Sequence, residues 1–255
     1  MNIDILRADQ ASPGRQDYRL AQDVVLLFVA DHTARILDFG GLFCSVSQSA
    51  ARMLYETLNH GMESAIETIA ATYRIDRSRI QVDLQNLLAD LESKGLILGP
   101  QSRKQPSPPK IRRMALRVML SGAHSLPLSL NSQILVLFGL IFAAIRMLGW
   151  PETVRLFQSQ HQKPPQVLTD ERKDLPQEVD TAIRDMAAGY PFPVECKERA
   201  LCCWTLLRGV GLPAQLVVGI SLFPLESHCW CELEGCVLTD HLDRCERFTP
   251  VMRYD

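Results

Sequence analysis

The hydrophobic pattern divides the 255-residue chain into two parts. Near the N-terminus, short apolar runs separated by turn residues predict three β-strands, at residues 23–30, 35–39 and 42–46. Helices are expected to follow at residues 47–61, 62–73 and 77–94, the first capped by the Ser47 hydroxyl. A short apolar stretch at 96–98 closes this part. Three strands followed by three helices predict a small winged-helix-like domain.

The middle of the chain provides a domain boundary and a long apolar helix. Residues 99–110 (GPQSRKQPSPPK) are proline-rich, polar and basic, which is typical of a linker. We therefore expect domains at residues 1–98 and 111–255. The most apolar run, residues 134–145, contains twelve residues, whereas a membrane span needs about 20. It is accordingly predicted to be a buried helix, with no membrane span.

The C-terminal part combines a cysteine at a helix start with a hairpin that carries a histidine and an aspartate. Residues 195–208 contain good helix formers and no Gly or Pro, so Cys196 falls in the first turn. There the helix dipole is expected to lower the thiol pKa. Strands are predicted at residues 216–220, 228–232 and 236–240. The fold class is therefore α+β.

The hairpin register decides whether the histidine and the aspartate meet. Period-two alternation places His228, Trp230 and Glu232 on one face and the intervening cysteines on the other. A two-residue loop would set Asp240 opposite Cys229, on the wrong face, whereas a three-residue loop at 233–235 pairs it with His228. We predict the three-residue loop. Cys196 would then be the nucleophile, His228 the general base and acid, and Asp240 the residue that orients the imidazole.

Other kinds of site are weighed against this triad. Eight cysteines and a His-Cys-x-Cys run suggest zinc, but Cys229 and Cys231 lack the spacing of common zinc knuckles. A winged helix suggests DNA, but the third helix carries Asp83, Asp90 and Glu92, which match phosphate poorly. A net charge of −2 indicates no nucleic-acid partner. No export signal is visible, so reduced thiols and a cytoplasmic location are expected.

The triad segment resembles the B protein of lasso-peptide biosynthesis, a leader peptidase with a papain/transglutaminase-like cysteine-protease fold. The family's Cys-x-x-Arg-(Ala/Ser)-Leu helix start appears at residues 196–201. Its His-x-Trp-x-Glu-x-x-Gly strand appears at 228–235, and its closing aspartate is Thr239-Asp240. The resemblance implies that residues 111–255 are a transglutaminase-like cysteine protease domain that cleaves a leader from its core peptide.

The N-terminal part is similar to the PqqD-like recognition element of ribosomal-peptide maturation. The similarity lies in residues 47–58, a (Ser/Thr)-x-(Ser/Thr)-Ala-x-x-(Leu/Ile)-x-x-x-Leu pattern. It implies that a precursor's leader adds as a strand beside residues 42–46 and docks against the third helix. The implied leader-binding residues are Leu42, Phe43, Cys44, Val46, Ile80, Leu84 and Leu87. Plain core packing is the alternative for each apolar member of this set.

The two resemblances together imply a leader peptidase. Its expected partners are the precursor peptide and a separate ATP-dependent lasso cyclase. No cofactor and no metal is expected on this chain, and any ATP dependence would come through the cyclase. Two alternatives are left open by the residues themselves. The triad could instead pass the acyl group to an amine, or the protein could be a non-enzymatic adaptor that delivers the precursor.

Overall fold

The structure is a computed structural model that describes residues 4–7, 18–21, 24–39, 43–100, 110–125, 127–160 and 173–255. The chain forms two compact units, Met1–Ser107 and Pro108–Asp255, and each is described by itself.

The first unit contains a four-stranded antiparallel sheet. Its described strands are β1 (Asp4–Arg7), β2 (Arg19–Leu20), β3 (Val24–Phe28), β4 (Ala34–Asp38), β5 (Phe43–Val46) and β6 (Ile97–Leu98). The sheet order is β1-β3-β4-β5, and β2 pairs separately with β6. The three predicted strands are confirmed as β3, β4 and β5. The sequence pattern missed β1, which pairs with β3, and the short β2 strand.

The described part of the first unit also contains three helices: α1 (Gln48–His60), α2 (Met62–Tyr73) and α3 (Arg77–Ser93). All three were predicted. The Ser47 hydroxyl accepts a hydrogen bond from the Ala50 N–H at 3.4 Å, as expected of an N-cap residue. Leucine and isoleucine side chains of α1, α2 and α3 pack with β3, β4 and β6 in one core. Burial of this apolar surface holds the helices on the sheet.

The second unit sets a bundle of helices beside a second antiparallel sheet. Its described helices are α4 (Lys110–Ser125), α5 (Leu130–Leu148), α6 (Trp150–Gln158), α7 (Leu175–Ala188), α8 (Cys196–Gly209) and α9 (Leu242–Cys245). The strands are β7 (Gln215–Leu222), β8 (Leu225–Leu233), β9 (Cys236–Leu238) and β10 (Thr249–Tyr254), in the order β10-β7-β8-β9. Helix α8 packs against β8 and is surrounded by α5, α6 and α7. This packing fixes the start of α8 against the sheet.

Helix α5 is longer than the apolar run from which it was predicted. It covers 19 residues, and by length and composition it could cross a membrane. Only 28% of its most apolar 18-residue window is buried. Its buried side carries Ile134, Phe138 and Ile141, and it packs against α4, α6, α7 and α8. The prediction that one side of this helix is buried is confirmed. The helix is longer than the twelve-residue run, however, so its length does not argue against a membrane span.

A close contact between two neighbouring strands places the indole of Trp230. Gly219 in β7 pairs with His228 in β8. A Cβ atom at Gly219 would lie 2.6 Å from Cη2 of Trp230 and 2.9 Å from Cβ of Phe248. Separations this short are not tolerated between carbon atoms. Trp230 can therefore pack against β7 only because residue 219 has no side chain.

We predict that Gly219→Ala destabilises the protein by about 1–3 kcal/mol, because the methyl group forces Trp230 and Phe248 apart. Urea unfolding measured by tryptophan fluorescence gives the change in unfolding free energy. Gly189→Ala is the matched control, since no atom lies within 4 Å of a Cβ built there. Equal unfolding free energies for the two variants would contradict the prediction.

Candidate active site

Cys196 is the first residue of helix α8, as predicted. Glu195 precedes the helix, and its backbone N–H donates a hydrogen bond to the Glu198 carboxylate at 3.1 Å. Glu198 is therefore held over the helix start, where free backbone N–H groups favour a negative charge. This arrangement fixes the first turn, and with it the position of the thiol.

The thiol of Cys196 lies against the backbone N–H of Cys229, the residue that follows His228. Burial raises the pKa of Cys196. The Cys229 N–H and the Arg199 guanidinium oppose that rise, while the Glu198 carboxylate adds to it. The expectation of a lowered thiol pKa is therefore wrong for the free protein, because burial outweighs the helix start. At neutral pH Cys196 rests as a thiol.

The hairpin that carries the histidine has a two-residue loop, so the predicted three-residue loop is wrong. Leu233 pairs with Cys236, and Cys231 pairs with Leu238. Both loop residues, Glu234 and Gly235, have positive φ values (50° and 84°), as a type I′ turn requires. Were this register continued, Asp240 would lie opposite Cys229 and face away from His228.

Asp240 reaches His228 nonetheless, because the backbone turns at the residue before it. Thr239 has a φ of 71°, in the left-handed region, and β9 ends at Leu238. The turn brings Oδ2 of Asp240 to 2.8 Å from Nε2 of His228. This is ion-pair distance, although the Nε2–H bond does not point along the line between the two atoms. The predicted pair forms, but not through strand alternation.

His228 is 2% exposed and is held between aromatic rings. Its imidazole lies 5.9 Å from the Trp230 ring and 4.9 Å from the Phe248 ring, measured between centroids. The Trp230 Nε1–H donates to Glu232 at 2.7 Å. The predicted common face of His228, Trp230 and Glu232 is thus confirmed. On the opposite face, Cys231 contacts the thiol of Cys203 on α8.

Burial lowers the pKa of His228 below its ordinary value of 6.5. Asp240 opposes this shift, whereas the cations Arg244 and Arg199 add to it. The imidazole is therefore neutral at pH 7. Because Nε2 faces Asp240, Nδ1 is the ring nitrogen available to a thiol.

Asp240 stays ionised in spite of its burial. Burial acts to raise its pKa, but four groups hold the pKa of this carboxyl below its usual range. They are the backbone N–H of His241 at 2.8 Å, His228, Arg244 at 3.3 Å and Arg199 at 3.8 Å. At neutral pH the site therefore rests as a thiol, a neutral imidazole and a carboxylate. A proton must leave Cys196 before or during its attack on a carbonyl.

A comparison with known families matches the part of the chain that contains this site to one superfamily. Residues 140–253 match the family described as the transglutaminase-like superfamily, and the match includes Cys196, His228 and Asp240. Residues 140–253 are a transglutaminase-like domain. Such a domain indicates cysteine-protease or acyltransferase-type activity. Neither the comparison with curated proteins nor the comparison with solved structures found a match.

Arg244 depresses the pKa of the imidazole in the transglutaminase-like domain. We predict that Arg244→Gln raises the pKa of His228, because a neighbouring positive charge is removed. Catalysis needs the neutral imidazole, so the acid limb of kcat/KM should move to higher pH. A pH profile of kcat/KM and the His228 NMR titration measure the shift. The exposed Arg247→Gln is the control, and a His228 pKa unchanged or lowered in Arg244→Gln would contradict the prediction.

The predicted leader-binding residues lie in the first unit, outside the matched region. Phe43 is 37% exposed on β5, while Cys44, Val46 and Leu87 are partly buried against the core. Ile80 and Leu84 are 1% and 0% exposed, so their assignment to a peptide groove is corrected. Both side chains pack in the hydrophobic core, which was the alternative to leader binding. Leu42 lies outside the described residues.

Sequence reasoning missed the charged residues that surround the triad. Asp180, on α7, accepts a hydrogen bond from the backbone N–H of Thr239. Arg184, on the same helix, donates to the backbone carbonyl of Asp240, and Arg244 on α9 pairs with the Asp240 carboxylate. An Asp and an Arg four positions apart are an ordinary feature of a solvated helix, so this pattern gave no signal. Over the part of the chain that the structure describes, no group of three or more His, Cys, Asp or Glu side chains could hold a metal ion.

Proposed function

We propose that this protein is a cysteine peptidase that removes the leader from a lasso-type precursor peptide. The observation that carries the proposal is the His228–Asp240 pair at 2.8 Å on the hairpin strand against which the Cys196 helix start packs. A nucleophile, a base and an orienting carboxylate are the groups that thiol-dependent acyl transfer needs.

The proposed reaction begins with attack of the Cys196 sulfur on the scissile carbonyl carbon. The thiol proton passes to Nδ1 of His228, and Asp240 stabilises the imidazolium that forms. His228 then donates this proton to the leaving amine of the core peptide as the C–N bond breaks. Water, deprotonated by His228, hydrolyses the thioester, which frees the leader as a carboxylic acid and restores the thiol. The backbone N–H of Cys196 is the candidate oxyanion donor.

Leader capture is assigned to the first unit. Strand β5 is the last strand in the sheet order, and among the described strands only β4 pairs with it. An unpaired strand edge offers main-chain donors and acceptors to an extended peptide. Phe43 presents an exposed ring on this strand. These features support a peptide-recognition role like that of PqqD-like domains, in a cytoplasmic pathway with a separate ATP-dependent cyclase.

Mass spectrometry of a lasso-type precursor encoded beside the gene tests this proposal. The precursor is incubated with the full-length protein in ¹⁸O-water, with and without the cyclase and ATP. Leader peptidase activity predicts a free leader that carries one ¹⁸O in its new carboxylate and an unmodified core amine. The chain is expected to cleave without metal, so the reaction should continue in EDTA when ATP and its magnesium are left out.

The same mixtures separate the alternatives. Added hydroxylamine should divert the thioester to a hydroxamate if acyl transfer runs through Cys196. A leader joined to an amine of the precursor or of an added acceptor, without ¹⁸O, would identify an amine transferase. A precursor that binds the protein but remains intact in every mixture would identify an adaptor and would overturn the peptidase proposal.

A further inference from the structure

Thr239, directly before Asp240, has a backbone conformation that its residue type disfavours. Its φ of 71° lies in the left-handed region, which β-branched residues rarely enter. The residue is 2% exposed, so water does not provide the compensating contacts. Strained backbone of this kind persists only where its surroundings enforce it, and it is concentrated at functional sites.

Two side chains of helix α7 hold the backbone at this point. The Thr239 N–H donates to Oδ1 of Asp180 at 2.5 Å. Oδ2 of Asp180 accepts from Nε of Arg184 at 2.9 Å, and Nη2 of Arg184 donates to the backbone carbonyl of Asp240 at 2.9 Å. Asp180 and Arg184 therefore bind both sides of the turn. We call these two residues the α7 clamp.

The turn at Thr239 determines the face on which the Asp240 carboxylate lies. In the observed register, an extended Thr239 would continue β9 and place Asp240 opposite Cys229. His241 would then lie opposite His228. The left-handed turn at Thr239 instead brings Asp240 to the imidazole.

We propose that Asp180 and Arg184 are positioning residues, which hold Thr239 in its left-handed conformation and so keep the Asp240 carboxylate on His228. The proposal rests on the proposed function only in assigning Asp240 to catalysis. The effect of the clamp on the His228–Asp240 pair is independent of the substrate. A purely structural role would affect folding without changing that pair in the folded protein.

The test combines removal of the clamp with relief of the backbone strain. In Asp180→Ala, the Thr239 N–H loses its acceptor and the turn relaxes, so kcat should fall roughly 10–100-fold with little change in KM. Adding Thr239→Gly should recover a large part of this loss, because glycine adopts positive φ without steric cost. Asp180→Asn, which keeps an acceptor oxygen, should lose less than Asp180→Ala.

The NMR titration of His228 is the second readout, and it requires no substrate. The charged groups facing this imidazole are Asp240, Arg244 and Arg199, and of these only Asp240 raises its pKa. Displacing Asp240 in Asp180→Ala should therefore lower the His228 pKa further, and Thr239→Gly should restore it. Asp185→Ala, an exposed change on the same helix, is the control.

The outcomes separate this inference from the proposed function. If wild type cleaves no precursor but the His228 pKa falls in Asp180→Ala and recovers with Thr239→Gly, the clamp stands and the peptidase proposal fails. A folded Asp180→Ala with an unchanged His228 pKa and, where wild type cleaves the precursor, an unchanged kcat would overturn the clamp. If Asp180→Ala does not fold, Arg184→Ala, which removes the donor to the Asp240 carbonyl, provides the same comparison, and an unchanged His228 pKa in that variant would overturn the proposal.

Discussion

Replacing Cys196 by alanine should abolish precursor cleavage, with a loss of at least about 10³-fold in the single-turnover rate. The proposed mechanism has no other nucleophile at the start of α8, and the loss of any one member of such a triad removes most of its rate enhancement. The rate is measured by mass spectrometry of the released leader with enzyme in excess. Binding of the precursor should survive, because the proposed peptide-recognition role lies in the first unit.

Cys202→Ala is the matched control for this loss. Cys202 lies in the same helix, is fully buried, and burial raises its pKa well above the ordinary value. Its removal should leave the cleavage rate within a few-fold of wild type and cost only packing free energy. Cleavage that persists in Cys196→Ala would exclude Cys196 as the nucleophile. A loss confined to Cys202→Ala or Cys203→Ala would move the nucleophile into the helix.

The start of α8 and the two faces of β8 could be predicted from sequence because both depend on local patterns. Prolines before Cys196 and helix formers after it determine where the helix begins. Period-two alternation determines that His228 and Trp230 share a face, whichever loop follows. These features place the thiol on the helix and the imidazole on the strand without knowledge of the tertiary contacts.

The route to Asp240 could not be predicted, because it depends on two non-glycine residues with positive φ. Glu234 forms half of the two-residue turn, and Thr239 turns the chain after β9. Neither residue type signals that conformation. The prediction assumed a strand continuous to Asp240, and only a longer loop could then bring Asp240 to His228. The predicted contact between His228 and Asp240 is correct, but the three-residue loop that was expected to produce it is wrong.

The electrostatic state of the site was also beyond the sequence. A helix start favours a thiolate, but the extent to which packing shields Cys196 is a tertiary property, and burial proved the larger effect. The same limit applies to Ile80 and Leu84 in the first unit. Helical spacing identifies an apolar stripe on α3, yet only the packed structure tells core from groove.

The second large effect is expected for His228→Gln, which removes the general base. We predict a loss in kcat of roughly 10²–10⁴-fold, since glutamine cannot accept the thiol proton. The pH profile of the residual activity should also lack the decrease at low pH that protonation of the imidazole causes in wild type. A pH profile of kcat/KM between pH 5 and 9 measures both effects. This pH range extends to both sides of the ordinary imidazole pKa of about 6.5.

The same variant should change how stability depends on pH. The folded pKa of His228 lies below its unfolded value, so between the two the unfolded state binds more protons. Wild-type stability must therefore fall as pH decreases through this window, and this contribution should be absent in His228→Gln. Urea unfolding at a series of pH values measures the difference in slope.

His241→Gln is the control that makes both measurements specific. The His241 side chain is exposed, while its backbone N–H, which the substitution keeps, donates to Asp240. An extended Thr239 would place this histidine opposite His228, so His241 is also the alternative base if the turn relaxes during catalysis. Loss of activity in His241→Gln with retention in His228→Gln would assign the base to His241. Loss in His228→Gln alone would establish that the buried imidazole paired with Asp240 is the one that takes the proton.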